Sequence, residues 1–172
     1  MRYCFFLCLI LLFGCVNNIK DIDEAYLESI INDHGEGVEI RYYLEGNLEF
    51  QLFASEMEVF SDEKNLFPKG IKVYVFNNNL DTIATIFSDF AIHNKNDALI
   101  EIRRNVILKN NKNEQLSTER LFWSKDTKKI YTKEEDLVTL NTEKQIIMGY
   151  GFVSDQYFST YSLSNITGTI YL

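Results

Sequence analysis

The chain has 172 residues, 46% of them hydrophobic and 14% aromatic, with one proline and a formal net charge of −8. That length suits a single domain, and the apolar and aromatic content excludes a disordered chain. The acidic balance excludes nucleic acid, which needs a basic stripe, and electrostatic docking on anionic lipid.

Residues 1–14 read as a secretory leader. Arg2 supplies the positive charge, and the apolar run from Tyr3 to Phe13 is too short for a bilayer core, which needs about 20 residues. The run ends Leu12-Phe13-Gly14-Cys15, which resembles the lipobox of bacterial lipoproteins, with Phe13 departing from the usual small residue. The resemblance implies that Cys15 becomes an acylated first residue holding the domain at a membrane; a plain signal peptide cut elsewhere and an uncleaved anchor are the alternatives. Cys4, Cys8 and Cys15 are the only cysteines, so the mature domain has no disulfide, and losing Arg2 takes its charge from −8 to −9.

Residues 15–37 read as a tether. Ile22, Tyr26, Leu27, Ile30 and Ile31 have loose helical spacing, so the tether is either a short amphipathic helix starting near Asp21 or Asp23, or a flexible linker, ended by His34-Gly35-Glu36-Gly37.

From Val38 onward the pattern is β. Val38 to Leu44 is a strand, Glu45-Gly46-Asn47 its hairpin turn, and Leu48 to Ala54 the return. Ser61 to Asn65 is a loop and Leu66 to Gly70 a turn. Ile71 to Phe76 and Leu80 to Phe87 flank Asn77-Asn78-Asn79, and the second run continues to Ile92. Leu99 to Leu108 and Leu116 to Trp123 flank the polar Lys109 to Glu114. Lys128 to Thr132 and Leu137 to Leu140 flank the charged residues 133–136. Gln145 to Val153 is broken by Gly149 and Gly151, which predict a bulge or a close backbone approach. Tyr157 to Leu163 and Ile166 to Leu172 are the last two predicted strands, and the final run is predicted to be uncovered, a template for pairing.

A Ser or Thr followed by an acid and then an apolar or aromatic pair recurs at Ser55-Glu56, Ser88-Asp89, Thr118-Glu119 and Ser154-Asp155, at spacings of 33, 30 and 36 residues. Such a period predicts a stacked array whose units bury faces against one another.

No catalytic constellation, metal-ligand pair or cofactor motif emerges, so neither an enzyme nor a cofactor is expected. His34 and His93 sit beside polar turn residues and read as solvated loop histidines. Gly149-x-Gly151 is too short for a dinucleotide fingerprint and precedes no helix. The acidic runs Asp62-Glu63 and Glu134-Glu135-Asp136 read as solvated turns. Asn165-x-Thr167 fits a glycosylation acceptor, idle behind a bacterial leader.

Three places carry a family resemblance. They are Val38-Glu39-Ile40 through Gly46-x-Leu48-x-x-x-Leu52-x-Ala54 to Phe60; Phe67-Pro68-Lys69-Gly70-Ile71; and the ordered set Ser88-Asp89, Asn105-Val106, Leu116-x-Thr118-x-x-Leu121-x-Trp123, Gly149-x-Gly151-Phe152. Together they resemble LptC, the periplasmic component of the lipopolysaccharide export machine, in a lipoprotein form typical of Bacteroidetes. The resemblance implies an all-β, open twisted jellyroll over residues 38–172. It also implies a periplasmic location, here with an inner-membrane anchor, and transfer of lipopolysaccharide from the LptB-F-G ABC transporter to LptA. The amino-terminal edge, with Val38 and Ile40, would meet the LptF and LptG jellyrolls, and the carboxy-terminal edge, with Ile166 and Ile170, would add to LptA by strand pairing.

The inward alternants are the candidate acyl-chain lining: Leu48, Phe50, Leu52, Ile71, Val73, Val75, Ile100, Ile102, Val106, Leu108, Leu121 and Trp123. The same residues would equally form a plain sandwich core. A structural or adhesive surface lipoprotein with a closed β core is therefore the rival expectation. A sugar-active jellyroll hydrolase would need two carboxylates facing one cleft, and no such pair stands out.

Overall fold

The computed structural model describes residues 31–60 and 63–170; the leader, Cys15 and the predicted helix-or-linker stretch up to Ile30 lie outside the described residues. Twelve strands follow in chain order: β1 Ile31–Leu44, β2 Asn47–Phe60, β3 Lys64–Phe67, β4 Ile71–Phe76, β5 Thr82–Ser88, β6 Phe90–Asn94, β7 Leu99–Asn110, β8 Gln115–Ser124, β9 Lys129–Tyr131, β10 Leu137–Asn141, β11 Gln145–Asp155 and β12 Tyr161–Ile170. All belong to one antiparallel sheet, and the described residues contain no α-helix.

Three corrections to the sequence reading are local. The first strand begins at Ile31 rather than Val38, so the polar stretch 33–37 extends a strand. Residues 64–67 form β3 where a loop and turn were expected, because they bridge β2 and β6. The final two predicted strands are one, β12, since Asn165 bends within it at φ 49° instead of ending it.

The sheet is a meander in which each rung pairs with the next, and short strands come two to a rung. β3 and β4 both pair with β2, β5 and β6 both with β7, and β9 and β10 both with β8 and β11. The breaks between the paired short strands line up. Phe53 pairs with Lys72 and Glu58 with Leu66, so Ser55-Glu56 lies opposite Pro68-Lys69-Gly70. The next rung breaks at Asp89, whose amide donates to the Arg104 carbonyl at 3.0 Å. In β7, Arg104 and Asn105 bulge with φ of 63° and 50°, opposite Glu119. The line continues past residues 132–136 to the register shifts at Gly149 and Gly151 in β11 and to Asn165 in β12.

This line is a crease about which the sheet doubles over. Phe50 on β2 and Trp123 on β8 are far apart along the meander, yet their rings meet at 4.7 Å. The recurring Ser/Thr-acid pair is the sequence trace of this crease. Three of the four pairs lie on it, spaced by two rungs, while Ser154-Asp155 closes β11. The expected stacked array of separate units is therefore one continuous folded sheet. Its polar groups are satisfied locally: Lys69 pairs with Glu56, Asn105 donates to Asp89 at 2.5 Å, and Arg120 forks onto Asp136 at 2.7 and 3.1 Å.

Gly70 sets the tightest point, at φ 83°, where a Cβ would lie 2.0 Å from the Ser88 carbonyl. Gly46 has a similar φ of 85° with open space around it. Gly70→Ala is expected to cost at least about 3 kcal/mol and Gly46→Ala about 1 kcal/mol, because only the first adds a backbone clash to the strained φ. Urea midpoints at constant m measure the difference.

Asp155 closes the β11–β12 turn. It accepts the amides of Tyr157 at 2.8 Å and Thr160 at 2.7 Å, and the hydroxyls of Ser159 and Thr160 at 2.7 Å each. Partial burial pushes its pKa up, but the donors from Thr160 and Ser159 outweigh that and bring it from 3.8 down to about 2. With the folded value below the unfolded one, this stabilisation is complete above pH 3.8 and disappears as pH falls through about 2. Asp155→Asn should lower stability at pH 7, with the gap to the parent narrowing between those two values in acid-titrated thermal melts.

Candidate functional site

The inner face carries an apolar ladder perpendicular to the strands. Leu52 pairs with Val73, Val73 with Ile86, Ile86 with Leu108, Leu108 with Leu116, Leu116 with Leu140, and Leu140 with Ile147, which lies opposite Gly168 on β12. These eight rungs make seven steps of about 4.8 Å, or about 34 Å from β2 to β12. Strand alternation places all seven side chains inward; six are buried and Ile147 is half-buried.

Phe50, Val75 and Val106 lie beside this ladder, and Ile71 at the crease end of β4. Across the crease, Ile100 pairs with Trp123 and Ile102 with Leu121. Eleven of the twelve predicted lining residues thus join one buried cluster, and Leu48 is half-buried at the start of β2. Phe67, Ala91, Ile130, Val138, Phe152 and Phe158 also belong to that cluster, as do Ile86, Leu116 and Leu140. None of these nine is among the candidate lining residues, although Phe67, Leu116 and Phe152 stand in the stretches that carry the family resemblance. The alternation of Ala84, Ile86 and Ser88, and of Val138 and Leu140, carried the signal in strands already recognised.

In the chain alone the two walls touch, as Phe50 on Trp123 shows. Tyr42 stacks on Phe50 at 4.8 Å and extends the aromatic column to β1. The cluster thins toward both ends. Val38, Ile40 and Tyr42 of β1 are half-buried against it, as are Ile147, Tyr161 and Leu163 at the other end. Among the described residues β1 pairs only with β2, and β12 only with β11. No other described strand covers either edge: Ile166 is 62% exposed, and the backbone of Ile170 lies opposite Gln145.

Among the described residues two buried side-chain polar atoms lack a hydrogen-bond partner, Asn65 Oδ1 on β3 and the Trp123 indole in the core. The indole Nε1 of Trp123 is buried without a hydrogen-bond partner, a cost of about 1–3 kcal/mol.

His93 departs from its expected place in a solvated loop. It lies in β6, where Lys125 contacts its Nε2 at 2.8 Å while reaching over the Tyr42 ring at 5.8 Å. Burial, then Lys125 and Lys95, pull its pKa from 6.5 to about 4, so the ring is neutral near pH 7 and Nε2 accepts the Lys125 proton. The unfolded chain takes up a proton at 6.5 that the folded chain refuses until about 4, so His93 withdraws stability as pH falls across that window. His93→Gln, which still offers Lys125 an acceptor, should flatten the stability profile between those two values in denaturant titrations.

His34, Glu56 and Glu58 bring ligating atoms within 4.8 Å of one another at the β1–β2 edge, but the Lys69 ammonium already pairs with Glu56. Spacing along the chain had given no hint of this grouping, which strand pairing creates.

A family described as Lipopolysaccharide-assembly, LptC-related, matches residues 6–171. No curated protein matches the chain.

Proposed function

The chain belongs to the LptC-related lipopolysaccharide-assembly family, and from that premise we propose that it carries lipopolysaccharide acyl chains along the apolar ladder, from the LptB-F-G transporter to LptA. The family serves lipopolysaccharide assembly and transport in the cell envelope and is non-catalytic. The observation that supports the relay is the ladder itself, continuous from β2 to β12 and ending at an uncovered strand.

The energetics favour a continuous surface. Each buried CH₂ is worth about 0.8 kcal/mol, so a chain of a dozen carbons costs on the order of 10 kcal/mol to expose. A multi-acyl lipid therefore slides between apolar linings and does not cross water. Because the walls touch in the chain alone, acyl chains enter by parting them from the edges, where the apolar residues are half-buried. The orphan Trp123 N–H then gives a lipid ester or amide carbonyl a partner.

Val38 and Ile40 face the transporter's jellyrolls and β12 extends into LptA, with Cys15 acylated at the inner membrane. The mature charge of −9 repels an anionic headgroup, which keeps the lipid's polar part out of the space between the apolar walls.

A photocrosslinking residue at Leu108 or Leu163, in the assembled transporter hydrolysing ATP, tests the relay. The expected result is an ATP-dependent lipopolysaccharide adduct at both positions, with none from an exterior control at Tyr43. Absence of adducts at Leu108 and Leu163 during turnover would overturn it. Mass spectrometry of the mature amino terminus checks the anchor, with an acylated Cys15 expected.

A further inference from the structure

One end of the folded sheet carries a polar cleft that the acyl relay does not use. Three turns form it: residues 77–79 between β4 and β5, 110–112 between β7 and β8, and 157–159 between β11 and β12. Its volume is about 630 Å³, within the range of about 300–1,000 Å³ typical of small-ligand sites.

The turns are fixed before any ligand arrives. Asn77 accepts the amides of Asn79 and Asp81, each at 2.9 Å. Asn110 accepts the amide of Lys112 at 2.9 Å and donates to the Phe158 carbonyl at 3.0 Å, tying two of the three turns together. These two asparagines build the cleft, and Asn110, which donates twice and accepts twice, has no capacity to spare. Asn78, Asn79, Asn111 and Lys112 stand exposed on the same turns, with no side-chain partner among the described residues. Ile83, Tyr157 and Phe158 supply an apolar floor.

Amide side chains both donate and accept, which matches the hydroxyl groups of a sugar, and an apolar floor with a tyrosine matches the ring's C–H face. No acidic residue lines the cleft, although the chain has 25 acids against 17 basic residues. Glu114 nearby is engaged by Asn110 at 2.7 Å and Tyr161 at 3.1 Å. Lys112 is thus the charged group that an anionic substituent on a sugar would meet.

We propose that this cleft binds the saccharide portion of the lipid, with Asn78, Asn79 and Asn111 on sugar hydroxyls and Lys112 on a phosphate or carboxylate. The proposal rests on the acyl-relay reading for the identity of the sugar. It gives the headgroup a place to travel at the end of the folded sheet while the chains lie between the walls.

The test uses the full mature chain and delipidated oligosaccharide prepared by mild acid hydrolysis of lipopolysaccharide. Side-chain amide signals are followed by NMR during titration. Saturable shifts confined to Asn78, Asn79 and Asn111 are expected, weakened at least tenfold by Asn111→Ala combined with Lys112→Ala. These exposed substitutions should leave the thermal midpoint unchanged. Three outcomes would overturn the assignment: no saturable shift at millimolar oligosaccharide, equal affinity in the double variant, or equal affinity for a neutral dextran of the same size. The Leu108 crosslink separates the two readings. If it persists without oligosaccharide binding, the saccharide site alone fails; if it too is absent, the relay has failed.

Discussion

A sheet of nine successive rungs has two faces and, among the described residues, no helix to cover either, so its apolar face leaves water by the sheet folding onto itself. The aligned backbone breaks at Gly70, Asp89, Arg104-Asn105 and Gly149 to Asn165 allow this. Bending a sheet frees ladder amides and carbonyls, which are costly if buried unpaired. Here side chains and cross-strand backbone groups take them up: Asp89 bonds to Arg104, Thr118 donates to the Leu137 carbonyl at 2.9 Å, and Thr132 accepts the Phe152 amide at 3.0 Å. The polar crease and the apolar ladder therefore depend on each other.

Folding about a crease differs from closing a barrel, which removes sheet edges altogether. A doubled-over sheet keeps its first and last strands as free edges, and its core runs out to both. That geometry explains why residues near the ends, Ile40 and Leu163, are only half-buried, while mid-sheet residues such as Ile86 and Leu108 are fully so. The gradient follows from where each rung sits. It leaves the core most easily opened at its two ends.

The strands were legible because alternation survives in a sheet with one wet face. β4 is the clearest case, with Ile71, Val73 and Val75 inward and Lys72 outward. The Ser/Thr-acid pairs were visible too, but their meaning was not. A period of two rungs is the same in a solenoid and in a creased meander, and only long-range pairing separates them. Residues 33–37 hid β1 because two glycines and three polar or charged side chains look like a linker, yet hairpin pairing with β2 extends the strand. The polar cleft was illegible for a related reason. Asn77-Asn78-Asn79 and Asn110-Asn111 read as turn formers, which Asn77 and Asn110 are, and only the fold brings their free neighbours onto one rim.

The two edges are chemically unlike. β1 carries Asp33, Glu36, Glu39 and Arg41, and charge along an edge discourages indiscriminate pairing. β12 has no charged residue and no proline, in a chain that is 24% charged, and its bend at Asn165 is the sole device that disturbs its edge. Soluble proteins seldom leave such a strand bare, because it pairs with any strand presented to it. A bare β12 is tolerable where a partner strand regularly occupies it. A charged β1 is what a second junction needs if it must accept one partner and refuse copies of itself. With unlike edges, the two ends of the apolar ladder present chemically different surfaces to any strand that pairs with them.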